Sequence, residues 1–142
     1  MTTENNKAIA RLLIEEVFNR GNLAVADRII APDFVHHDPN TKEFRSGPEG
    51  FKHFLQRYRQ AFPDLHITIE QQIAEGDLVV DQWKGSGTHQ GELMGIAATG
   101  KQVTLSGISI HRIVGGKITE TWNNYDALTL LEQLGFLRSH TL

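Results

Sequence analysis

Two periods divide the chain at Pro63-Asp64. Before that point apolar residues recur every three to four positions, and after it every second one. Ile9, Leu12, Leu13, Val17 and Phe18 fall on one broad side of a helix predicted over Thr3–Arg20 and closed by Gly21. Asn22 caps a short second helix, Leu23–Ile30, which Pro32 ends. Asp33 to Pro39 reads as a short extended segment, because proline disfavours helix in the residue before it. Pro39 to Gly47 is polar and reads as a loop. Ser46-Gly47-Pro48-Glu49 then starts a third helix, whose apolar face is Phe51, Phe54, Leu55, Tyr58 and Phe62.

Beyond Asp64, Leu65, Ile67, Ile69, Gln71 and Ile73 alternate with His66, Thr68, Glu70 and Gln72, the pattern of a half-buried strand. Glu75-Gly76-Asp77 is a turn into a second strand, Leu78–His89. Gly91 to Gly100 has little periodicity and reads as a flexible connection or extended loop. Val103–Val114 and Lys117–Tyr125 form a hairpin about Gly115-Gly116. Asp126 opens a closing helix, Ala127–Leu134. Helices first, then an antiparallel meander, then a helix make an α+β domain. A sheet of this kind twists and curls, and helices packed on its inner side give a cone with a mouth.

Composition narrows the possibilities. At 142 residues the chain is read as a single domain, residues 1–142. The net charge of -3 gives no basic face for nucleic acid, and the absence of cysteine excludes disulfides and thiolate metal sites. No apolar run approaches the roughly 20 residues needed to cross a bilayer, and the N-terminus lacks the pattern of a signal peptide. A cytoplasmic protein that takes a small hydrophobic molecule, without nucleic acid or membrane, is the expectation.

The order of elements resembles the cone-shaped α+β barrel of the NTF2-like (cystatin-like) proteins. Gly87-Thr88-His89-Gln90-Gly91, Thr99-Gly100-Lys101, His111-Arg112-Ile113-Val114-Gly115-Gly116-Lys117-Ile118, Trp122, Asp126 and Gln133-Leu134-Gly135 together resemble the SnoaL-like polyketide cyclase, or ester cyclase, family. The resemblance runs from about Lys7 to Leu137. It implies acid/base ring closure of a polyketide ester with no metal and no organic cofactor, and it implies a homodimer or higher homo-oligomer. It places the family's acid at Asn123 and its histidine at Ser109, so neither residue type is kept. A neutral amide cannot take a proton from carbon, although it can donate a hydrogen bond to a developing enolate oxygen.

Asp126 is the nearest remaining carboxylate in sequence, and it also suits the N-cap of the closing helix. The expected catalytic residues are therefore Asp126, Asn123 and His37. Phe18, His36, Tyr58, Trp83, Ser109, His111, Thr121 and Tyr125 are the expected substrate contacts. His89 is read equally as a turn-stabilising residue or a substrate contact. His36-His37-Asp38 invites a metal reading, but adjacent residues of an extended segment point to opposite sides. Trp122 alternates with Asn123 and so faces outward, where a large aromatic suits a subunit contact. The expected activity is cyclase, isomerase, dehydratase or hydrolase chemistry on a hydrophobic carbonyl compound. A ligand-binding module without chemistry is the alternative.

Overall fold

The computed structural model describes residues 2–40 and 46–136. Most of the loop expected over 39–47 therefore lies outside the described residues. Thr2 caps α1, Thr3–Leu12, by accepting from the Asn5 amide. The helix continues without a break into a wide π turn, Leu13–Phe18, in which the Asn19 amide reaches back to the Ile14 carbonyl at 3.0 Å. Asn22 caps α2, Leu23–Ile29, and α3 spans Gly47–Ala61. The strands are β1 Ile30–His37, β2 His66–Glu75, β3 Leu78–Thr88, β4 Gln102–Val114 and β5 Lys117–Tyr125. Asp126 caps α4, Ala127–Gln133.

The five strands lie in the order β1-β5-β4-β3-β2. Four make the expected antiparallel meander, and β1 adds to it parallel to β5. The sheet is curved, mixed and open, with β1 and β2 as its edges. Two expectations are corrected here. The extended segment is a full strand of the sheet, and Pro32 lies inside it rather than just past a helix. An edge strand tolerates proline because one side of it needs no backbone donor. The register of β1 on β5 also breaks between Ile30 and Val35.

Helices α1, α2 and α3 cover the concave face. One core, around Phe34, Leu55, Val79 and Ile118, sits under α1 and α2. A second, around Phe62, Trp83, Leu105 and Leu130, sits under the end of α3 and α4. The edge of β2 is partly covered from the helical side: the Asn19 side chain donates to the Ile67 carbonyl at 2.9 Å and accepts from its amide at 2.7 Å. The connection at 89–101 is anchored rather than loose. Leu93 is buried, and the amides of Gln90 and Gly91 both donate to the Ala61 carbonyl at the end of α3. A Cβ at Gly91 would stand 2.4 Å from the Gln60 carbonyl oxygen, so only glycine allows this approach. No helix among the described residues is long and apolar enough to cross a membrane.

Candidate active site

Where the π turn, α3 and the concave sheet converge they leave a cavity of about 70 Å³. Leu13, Phe18, Phe51, Phe54, Leu65 and Leu105 give it an apolar wall. Its polar groups all come from the sheet side and from Tyr58: His36, Ser109, His111, Thr121, Asn123 and Tyr125. A mostly apolar hollow with a few convergent polar groups is the usual form of a small-molecule site.

Strand alternation explains how these groups meet. His36 pairs in register with Thr121, which pairs with His111; Asn123 pairs with Ser109, and Ser109 with Asp81. Two polar rows thus cross the concave face side by side. In one, the Trp83 indole Nε1–H donates to Ser109 Oγ at 3.0 Å, and the Ser109 hydroxyl donates to Asn123 Oδ1 at 2.7 Å. With its oxygen so occupied, the Asn123 amide turns its Nδ2 to Asp38 Oδ2 at 3.1 Å. The same carboxylate oxygen stands 3.4 Å from His36 Nε2. Asp38 Oδ1 accepts from the Asn40 amide at 2.8 Å, which closes a turn just past β1.

Trp83 can lie across the sheet only because its register partner is Gly107. A Cβ there would fall 2.4 Å from the indole Cζ2 and 2.8 Å from the Asn124 carbonyl oxygen. His36 is fixed by packing as well as by Asp38, with its ring 4.8 Å from that of Phe54. The side chains of His36 and Asp38 are 4% and 0% exposed. Burial pushes the Asp38 carboxyl up. Its bonds with His36, the Asn40 amide and Asn123 outweigh that and hold it below the ordinary value. Asp38 is thus an ionised anchor for His36 rather than a group poised to take a proton.

At the other end, the phenols of Tyr58 and Tyr125 are 3.2 Å apart. Burial, then the neighbouring Tyr58, pushes the Tyr125 phenol well above its usual range, so it stays protonated as a donor. His111 and Thr121 form a further buried pair at 2.8 Å.

All eight expected substrate contacts line the cavity, and so does Asn123. The other two expected catalytic residues do not. Asp126 is exposed and caps α4, accepting from the Thr129 amide at 3.1 Å and from its hydroxyl. Those two bonds hold its carboxyl below the ordinary value. Strand direction turns the Asp126 side chain out of the cone as the chain leaves β5. His37 follows His36 by one residue, so alternation sends it to the convex face. There it meets Glu120 at 2.6 Å and stacks on Trp122. His89 is buried away from the cavity, and its Nδ1 accepts from the Thr99 amide at 3.3 Å, so it stabilises the connection. The residues expected from the sequence do not include Asp38 or Asp81. The available signal was alternation: Asp38 shares a side with His36, and Asp81 lies between Val79 and Trp83 on the inward side of a strand.

Comparison with known proteins gives a consistent result. The sequence profile of the SnoaL-like polyketide cyclase family matches residues 8–134. The nogalonic acid methyl ester cyclase of Streptomyces nogalater is 29% identical over 119 residues, which span 83% of this chain and 89% of that one. The crystal structure of IdmH, a proposed polyketide cyclase from Streptomyces antibioticus, is 32% identical, with a TM-score of 0.81 over 92% of this chain and 98% of the other. TsrD from Streptomyces laurentii is 26% identical, with a TM-score of 0.87 over 96% and 99%.

Proposed function

Because the chain belongs to the SnoaL-like polyketide cyclase family, we propose that it catalyses proton transfer on an apolar, carbonyl-bearing substrate, with His36 as the acid/base. The observation that carries this reading is the buried His36–Asp38 pair at the polar wall of an otherwise apolar cavity. An imidazole is suited to moving a proton near neutral pH. The ionised Asp38 behind it orients the ring and supports the charge it acquires. Asn123, tied through Ser109 to Trp83, holds Asp38 in turn. The Tyr125 phenol, held protonated, and the Tyr58 hydroxyl beside it supply donors for a polar group at the far end of the ligand.

On this reading the carboxylate role has moved. The position on β5 that the resemblance assigns to the acid carries Asn123, and the carboxylate enters from the end of β1 as Asp38. Ring closure, isomerisation and dehydration all begin with loss of a proton next to a carbonyl, so the reading covers them without choosing among them. It requires no cofactor, since each proposed step is a proton transfer between side chains and substrate.

The test is exchange of the α-hydrogens of 2-tetralone in D2O, followed by proton NMR. The wild-type protein is expected to accelerate exchange, and His36→Gln to remove most of the acceleration. Wild-type protein that binds 2-tetralone without accelerating exchange favours the ligand-binding alternative.

A further inference from the structure

His111 lines the cavity and belongs to a second buried histidine–carboxylate pair, with Asp81 behind it. His111, 2% exposed, places Nδ1 2.8 Å from Thr121 Oγ1. Its Nε2 faces Asp81 Oδ2 at 3.4 Å, and neither of those two atoms has a hydrogen-bond partner among the described residues. Asp81 is 0% exposed, and its Oδ1 accepts from Gln72 Nε2 at 2.9 Å. Gln72 is itself held by Arg11 at 2.7 Å and by the Lys7 carbonyl at 3.1 Å. A carboxylate this deeply buried is costly unless a positive charge or a proton faces it. The facing atom is Nε2, so in a neutral His111 the proton belongs there. Nδ1 is then an acceptor, and the 2.8 Å contact is the Thr121 hydroxyl donating to it. This leaves the Thr121 oxygen with lone pairs for the cavity.

Thr121 is also the register partner of His36 on the adjacent strand. A carbonyl group laid across β1 and β5 would therefore set its α-carbon at His36 and its oxygen at Thr121. We propose that Thr121 acts at that oxygen, passing a proton between His111 and the carbonyl of an enolisable ketone whose α-carbon His36 deprotonates. The inference rests on the reading of His36 given above and adds the other half of the same step. The step starts from the imidazolium form of His111, which faces Asp81, and the neutral form protonated at Nε2, with Thr121 donating to Nδ1, is the form left once the proton has passed. The α C–H bond breaks, its proton goes to His36, and its electrons form the carbon–carbon double bond. The carbonyl oxygen takes the Thr121 proton, and Thr121 takes one from His111 Nδ1. The ketone becomes an enol, one proton has moved from His111 to His36 through the substrate, and the total charge is unchanged. Thr121 is the catalytic residue here, and His111 and Asp81 act through it.

Three measurements test this. In 2-tetralone exchange, Thr121→Val is expected to slow the wild-type rate by about a hundredfold, as loss of one preorganised donor does, and Thr121→Ser to restore most of it. In binding titrations, Thr121→Val is expected to weaken 2-naphthol, an enol mimic, by about tenfold and to leave 2-methoxynaphthalene unaffected. Imidazole nitrogen shifts of unsubstituted protein are expected to show neutral His111 protonated at Nε2, with that preference lost in Asp81→Asn. Wild-type exchange rates in Thr121→Val, or His111 protonated at Nδ1 in the neutral protein, overturn the inference while leaving His36 in place. No exchange by wild-type protein overturns both.

Discussion

His36 and His37 are neighbours in the chain, and each stands beside a carboxylate. On the convex face His37 meets Glu120 at 2.6 Å, with side chains 45% and 27% exposed. On the concave face His36 meets Asp38 at 3.4 Å, with both side chains almost wholly buried. The shorter contact is the weaker candidate for function. Water screens the outer pair and competes for its hydrogen bonds, so its net contribution is small. The inner pair has lost that competition, and each partner depends on the other and on Asn123. Around His37 the neighbours are those of a solvated surface: Trp122 stacks on it, and Arg112 lies over the same indole and reaches Glu120 at 3.2 Å. Around His36 they are Phe34, Phe54 and a cavity. One residue of strand alternation separates a surface ion pair from a candidate active site.

The sharpest way to break this contrast is to treat the two histidines alike. His36→Gln should slow 2-tetralone exchange by about 10²- to 10⁴-fold, the range for a lost general acid or base, with little change in binding. Equal effects of His36→Gln and His37→Gln on the rate would remove the distinction between the faces.

The next largest effect concerns what holds the inner face in shape. Gly107→Ala places a methyl group inside the Trp83 ring and against the backbone of β5. Overpacking of this kind should cost about 1–3 kcal/mol in urea unfolding. It should also displace the indole that anchors Ser109 and Asn123, weakening binding of 2-naphthol.

Acid titration separates the faces more gently. The folded value of Asp38 lies below the ordinary 3.8, so its bonds stabilise the protein above that pH. That stabilisation is lost as pH falls through the folded value, in a window beginning near 3.8 and extending below it. Asp38→Asn should therefore be less stable than wild type at neutral pH, and the gap should narrow below that point. A gap independent of pH would show that the carboxylate is not ionised in the folded protein.

The smallest effect belongs to the outer pair. His37→Gln should change unfolding free energy by no more than about 0.5 kcal/mol and leave exchange at the wild-type rate. A larger loss of stability would mean that the stack on Trp122 matters more than its exposure suggests.

The sequence made the frame legible wherever the signal was local. The span of α3 follows from Ser46-Gly47-Pro48 and its aromatic face. The β4–β5 hairpin follows from Gly115-Gly116, and the cap on α4 from Asp126. β1 was harder, because its partner lies more than 80 residues away and parallel pairing leaves no turn to read. Proximity in sequence to Asn123 points to Asp126 as the catalytic carboxylate. One step past the end of a strand, however, is enough to turn a side chain out of the cone. Asp38 lies 85 residues from Asn123 and bonds to it.

The sequence by itself determined most of the helices, the four-strand meander and the alternation that sorts His36 from His37. Those follow from steric and hydrophobic rules acting over a few residues. Only the tertiary structure decided which carboxylates face which histidines. That depends on β1 docking beside β5 and on β3 presenting Asp81 behind His111. It also depends on Gly107 leaving room for Trp83, and each of these is a contact between strands distant in the chain. The chemistry of the cavity is set by burial and by pairing across strands, and neither is a property of any single segment.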